Sequence, residues 1–155
     1  MHYIKELLSN HILAVTLLSW LFAQILKVII NAIVTKKFDI TRFFCDGGMP
    51  SAHSATVSAL ATICGLVYGL GSFEFAVTFI FATVVCRDAM GVRLETGKQA
   101  VILNEIVESF EELTKEDITE VKLKEFVGHT PIQVIAGILL GITSSALFFF
   151  FFMVK

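Results

Sequence analysis

The chain has 155 residues, 55% of them apolar, and a mean hydropathy of +0.79. A water-soluble domain of this length has too little interior to hide that much apolar surface, so lipid must solvate most of it. A formal net charge of -2 gives no electrostatic case for a nucleic-acid partner, and the length leaves room for one membrane domain.

Lys5 precedes the first long apolar run and no small-residue cleavage site follows it, so the run is expected to remain as a span. That span is expected over about 12–34, enough to cross roughly 30 Å of hydrocarbon. Gln24, Lys27 and Asn31 recur at spacings of three and four and share one helical face. A lysine at that depth is costly unless it faces protein or water; snorkelling to the interface is the blander alternative.

Residues 35–52 form a polar loop carrying Lys36, Lys37 and Arg42, with Gly47, Gly48 and Pro50 predicting a tight turn. A second span is expected over about 51–70. Small residues recur along it at Ser54, Ser58, Thr62, Gly65 and Gly69, a pattern that lets helices approach closely in lipid. Gly69, Gly71 and Ser72 predict a short turn into a third span over about 73–86, which ends at Arg87, Asp88 and Arg93.

Residues 94–128 carry nine acidic and four basic side chains. Thr96 with Gln99 reads as a capping box opening a helix, and Leu103, Ile106, Val107, Phe110 and Leu113 line one face of it. Thr114 with Asp117 predicts a second short helix ending at Gly128. The segment is expected to be a surface hairpin covering the mouth of the bundle, with partner binding the lesser role. Thr130, Pro131 and Gln133 then fit the start of a last span over about 131–154. The Phe148–Phe152 run needs no role beyond lipid contact. The expected fold is an all-α integral membrane bundle of about four transmembrane helices plus a cytoplasmic amphipathic helical hairpin.

Four spans put residues 35–52 and 87–128 on one side. These segments hold nine of the twelve Lys and Arg residues, against Lys5 and Lys155 on the other side and Lys27 inside the membrane. The positive-inside rule places both loops in the cytoplasm and both termini outside, across an inner (plasma) membrane.

His53 then starts the second span, His129 precedes the fourth, and Arg87, Asp88 and Arg93 end the third, all on that face with Arg42 and Lys27. Cations hold phosphate oxygens, one imidazole can attack phosphorus, and another can protonate the departing oxygen. Helix N-termini add oriented N–H donors. Taken singly, each histidine reads as a capping or interfacial residue and each cation as a topology signal; their coincidence on one face carries the phosphate reading. Cys45, Cys64 and Cys86 have neither metal-ligand spacing nor a disulfide pattern, so no metal and no cofactor is expected.

The stretch GGMPSAHSATVSALAT resembles the P-S-x-H motif of the type 2 phosphatidic acid phosphatase superfamily, which includes vanadium haloperoxidases and bacterial acid phosphatases. More closely, GGMPSAHSA (47–55), RDAMGVRLETGKQA (87–100) and GHTPIQVIAG (128–137) resemble the divergent PAP2 family of small membrane proteins. The resemblance implies that His53 protonates the leaving group, that His129 is the nucleophile, and that Ser51 helps hold phosphate. It implies a cradle for which Lys27, Arg42 and Arg93 are the available matches, beside Arg87, and no metal. Three departures stand out. No Arg-Pro pair closes the first motif, Leu123 stands where the superfamily has an arginine six residues before the nucleophile, and Gln133 stands where it has a ring-orienting aspartate. Asp88 is the carboxylate available to replace that aspartate.

The leading reading is a membrane phosphatase acting on a lipid-linked phosphate or pyrophosphate through a phosphohistidine. The alternatives are a non-catalytic binder of phosphorylated lipid or anion on the same fold, and a transporter subunit. Expected partners are the bilayer and a phosphorylated lipid, and self-association into a homo-oligomer is compatible with the sequence.

Overall fold

The computed structural model describes residues 2–44, 47–115, 123 and 128–154. A short helix, α1 (His2–Leu8), precedes the first span and was not foreseen. Asn10 separates the two: its side chain accepts the Leu13 N–H at 3.0 Å and starts α2 (His11–Thr35). A 3-10 turn (Ile40–Phe44) follows, then α3 (Ala52–Tyr68), α4 (Phe73–Met90), α5 (Val92–Thr114) and α6 (Pro131–Phe148), which runs into a π-helical turn at Phe149–Met153.

α2, the joined α4–α5 segment and α6 are each long and apolar enough to cross a membrane; α3, with 17 residues, is the shorter apolar helix at the centre. At 1.5 Å per residue α3 spans about 26 Å, close to the hydrocarbon thickness. It packs against α2, α4 and α6, and the described residues form an all-α membrane bundle.

The α3–α6 contact is the tightest. Gly137, Gly141 and Ser145, four residues apart on α6, face the α3 backbone at Ser51, Ala55 and Ala59. A Cβ on Gly137 would run into the Ser51 carbonyl oxygen, and one on Gly141 would stand 2.8 Å from the Ala59 nitrogen. Ser145 Oγ donates to the Ala59 carbonyl at 3.0 Å across the same seam. Both rows rise in the same direction, so α3 and α6 are parallel and begin at the same membrane face. In lipid no hydrophobic force drives helices together, and close backbone approach of this kind supplies the attraction instead. α2 packs on the pair through Ala23, against Ala52 and Ala55, and through a 2.6 Å Ser19–Ser144 hydroxyl bond. α4 packs antiparallel to α3, with Ala82, Cys86 and Ala89 against Val57, Ala61 and Val134.

Some expected boundaries are corrected. The third span continues to Met90, and the break comes at Gly91, whose N–H reaches back to the carbonyls of Arg87 and Asp88. α5 therefore starts at Val92, and Thr96 lies inside it, donating to the Val92 carbonyl rather than capping. Thr114 is likewise the last residue of α5, bonded to the Phe110 carbonyl. The second hairpin helix lies outside the described residues, except that the Asn104 amide holds the Leu123 backbone at 3.0 and 3.1 Å. The apolar stripe of Leu103, Ile106, Phe110 and Leu113 is exposed, and α5 turns Gly97, Ala100 and Asn104 inward instead.

The glycine seam gives the first prediction. Gly141→Val places a branched side chain against the α3 backbone and should cost at least about 1–3 kcal/mol, the range of core overpacking. Gly71→Ala, where an added methyl meets nothing within 4 Å, should leave the thermal midpoint in detergent unchanged. Equal midpoints for the two variants would remove the seam from its central place.

Candidate functional site

The parallel seam sets two helix N-termini side by side. At the first, Ser51 caps α3, accepting the Ser54 N–H at 3.3 Å and the Ser54 hydroxyl at 3.0 Å. Its own backbone N–H donates to the Gln133 carbonyl of α6 at 3.0 Å, which ties the two ends together. His53 follows on the first turn of α3, half-buried. At the second N-terminus, Thr130 caps α6, its N–H donating to Gln133 Oε1 at 3.1 Å, with Pro131 opening the helix. His129 immediately precedes that cap. The His53 and His129 rings meet edge to face, their centroids 5.9 Å apart and their planes at 79°.

Three features fix His129. Its backbone N–H donates to the Ala89 carbonyl at the end of α4, at 3.0 Å. Gly128, at φ +92°, lets the chain lie against α5: an added Cβ would come within 2.6 Å of Leu94 Cα. The side chain is 2% exposed, beneath the junction of α4, α5 and α6.

The cations divide into two groups. Lys27 is 4% exposed and lies along Gly48, so the Gln24–Lys27–Asn31 face turns into the bundle rather than to the interface. Lys27, Asn31, Arg42, Gly48 and Met49 line a hollow of about 150 Å³, room for about five waters. The Gln24 side-chain oxygen is fully buried one turn away and has no hydrogen-bond donor among the described residues, an uncommon condition that a bound donor would relieve. Arg42 is carried on a turn braced by Asp39, which accepts the Thr41 hydroxyl at 2.6 Å and the Thr41 N–H at 3.0 Å. The Thr41 hydroxyl, then its N–H and the charge of Arg42, hold the Asp39 carboxyl below the usual range.

Arg87 and Arg93 belong to the other group, at the end of α4. Arg93 Nε donates to Asp88 Oδ2 at 2.7 Å across the Gly91 break, with both side chains about half exposed. Arg87 points to a separate groove between α3, α4 and α6.

Three of the expected site residues make contacts at helix ends. Asp88 accepts from Arg93 through Oδ2. The Gln133 amide oxygen is engaged by Thr130, and its carbonyl by Ser51, so Gln133 works as a brace between helices. Ser51 is a wholly buried cap whose oxygen already accepts two hydrogen bonds. Gly137 and Ala89, which position the histidines, were not singled out in the sequence, and Gly128 was read there only as the end of a hairpin helix. The G-x-x-x-G-x-x-x-S run at 137–145 was the available signal.

The sequence pattern of the divergent PAP2 family matches residues 8–144, a range that includes both histidines and every residue of the two N-termini. The chain belongs to the divergent PAP2 family. Within it, the chain is 43% identical over 157 residues to the "Uncharacterized membrane protein YuiD" of Bacillus subtilis (strain 168), covering 96% of this chain and 99% of that protein. No solved structure matches. In this divergent PAP2 protein the P-S-x-H stretch is thus a capped helix start whose histidine is brought against the one preceding α6.

Two variants separate positioning from ornament. Asp88→Asn breaks a half-exposed ion pair and should change stability by less than about 1 kcal/mol. Gly128→Ala forces a strained φ and a backbone clash and should cost more, about 1–3 kcal/mol. Thermal unfolding of both in detergent measures the contrast.

Proposed function

We propose that this divergent PAP2 protein is a membrane phosphatase acting on a lipid-linked phosphate or pyrophosphate at the cytoplasmic face of the plasma membrane. The contact between the His53 and His129 rings, at two adjacent helix N-termini, carries this reading. A ring nitrogen of His129 attacks phosphorus, and the bond to the ester oxygen breaks with its electron pair leaving on that oxygen. His53 supplies the proton that makes it an alcohol, or a lipid monophosphate where the substrate is a pyrophosphate. Water then cleaves the phosphorus–nitrogen bond, with His53 taking a proton from the water and inorganic phosphate released. The positive ends of α3 and α6 and the cations at Lys27 and Arg42 offset the charge on the phosphoryl oxygens.

A second reading has its own observation. Asp88 is paired with Arg93 and the Gln133 amide oxygen with Thr130, so these two residues brace helix ends, and the donors that remain at the site suit binding a phosphorylated headgroup. In this reading the protein holds anionic lipid and releases nothing.

The test is phosphate release from phosphatidic acid by purified protein in nanodiscs, with chelator present. His129→Ala should abolish release, and His53→Ala should lower it by about 10²-fold or more, with both variants keeping the wild-type thermal midpoint. No release from either phosphatidic acid or a polyprenyl pyrophosphate, combined with histidine-dependent vanadate binding, would overturn the phosphatase and leave the binder. The orientation is checked separately. A cysteine at Ile40 should react with an impermeant maleimide only from the cytoplasmic side, and one at Val154 only from outside.

A further inference from the structure

α4 and α6 both pack on α3 but barely touch each other, and the gap between them is a groove of about 530 Å³. Ala61 and Thr62 form its floor on α3, Phe79 and Thr83 wall it on α4, and Ile142 walls it on α6. It runs along α4 from Phe75 to Met90, about 22 Å at 1.5 Å per residue. Arg87 stands at the end nearer the histidines, two residues before the Ala89 carbonyl that holds His129. Its guanidinium is exposed and has no ion pair or hydrogen bond among the described residues.

Spread over that length, the volume gives a mean cross-section of about 24 Å². A helix with its side chains is about 10 Å across, a section of roughly 80 Å², and does not enter such a groove whole. A single file of methylenes does. We propose that this groove seats one hydrocarbon chain of an anionic lipid, whose headgroup charge is held by Arg87 on the face where the two histidines stand. The proposal deepens the phosphatase reading and rests on it: it makes the substrate a long-chain lipid phosphate rather than a short or water-soluble ester.

Physical chemistry also says which part of such a lipid decides binding. The groove and the surrounding bilayer are equally apolar, so moving a tail from one to the other gains close packing but no hydrophobic free energy. The preference must come from the headgroup. Arg87 offers a planar cation with several donors to phosphate oxygens at the point where the tail leaves the groove. A zwitterionic lipid presents the same tail with its anion already neutralised, and should occupy the groove less.

The experiment uses the full chain in phosphatidylcholine nanodiscs containing a trace of phosphatidic acid with a diazirine in its acyl chain. After illumination, mass spectrometry locates the adducts. They should concentrate on Phe79, Thr83 and Ile142. Arg87→Gln should lower their yield roughly tenfold for phosphatidic acid while leaving a diazirine phosphatidylcholine unchanged. Ala61→Phe fills the floor and should remove them; Thr83→Trp blocks the same space from the exposed rim if the buried substitution disturbs folding. Adducts spread equally over the outward residues Phe73, Val77 and Phe81, or yields indifferent to these substitutions, overturn the proposal. Because cross-linking needs no turnover, the two readings can be told apart. Groove adducts without phosphate release sustain the groove and sink the phosphatase. Phosphate release from phosphatidic acid without groove adducts sinks the groove alone.

Discussion

At Gly137 there is no space for a methyl group, because the Ser51 carbonyl oxygen of α3 already fills it. One turn on, Gly141 meets Ala55 and Ala59 in the same way, and Ser145 closes the row with a hydrogen bond to the Ala59 carbonyl. This parallel backbone contact fixes the vertical register of α3 against α6. A shift by one residue would bring side chains where only hydrogen atoms fit. The register in turn decides that the Ser51 N–H faces the Gln133 carbonyl, and that a histidine two residues after one cap meets a histidine just before the other. The site is therefore a consequence of helix packing in lipid.

Parallel packing carries an electrostatic cost that an anion can relieve. Two helices starting side by side bring like partial charges together, equivalent to roughly half an elementary charge each. Most bundles avoid this by alternating direction, as α4 does against α3 here. The positive ends point to the same face as Lys27, Arg42 and Arg87, and the acidic side chains of α5 lie on a separate helix. An anion at that face meets converging dipoles from the two helices and cations from α2, the following loop and α4.

Much of this was legible in the sequence, and the parts that were not share a cause. The spans, the Thr130 cap and the inward face of Lys27 followed from local periodicity and capping chemistry, which depend on residues a few positions apart. The capping-box reading at Thr96 failed because the same residue types also occur inside a helix, where the Thr96 hydroxyl bonds the Val92 carbonyl. Gly91, whose neighbours give no capping signal, made the real break. The Asp88–Arg93 pair was hidden for a different reason: the break sets Arg93 beside Asp88, five residues on, at a spacing no continuous helix would pair. The small-residue rows on α3 and α6 are both visible in the sequence, but which row meets which is a long-range fact that no local pattern encodes.

The ring contact also constrains how chemistry could proceed. In phosphoryl transfer the attacking and leaving atoms lie roughly in line through phosphorus. A nucleophilic His129 and an acid on the leaving oxygen must therefore stand on opposite sides of the phosphoryl group. Rings with centroids 5.9 Å apart, in edge-to-face contact, leave no phosphoryl group between them. The proposed reaction therefore requires one ring to swing aside for an ester to enter. His129 is held by the Ala89 carbonyl, the Gly128 turn and almost complete burial, whereas His53 is half-buried on the first turn of α3, with its backbone fixed but its ring at the edge of the bundle. In the proposed reaction the deeply buried ring suits the nucleophile and the half-buried one suits the acid. This division of roles follows from burial and backbone anchoring, and agrees with the one the superfamily motif implies.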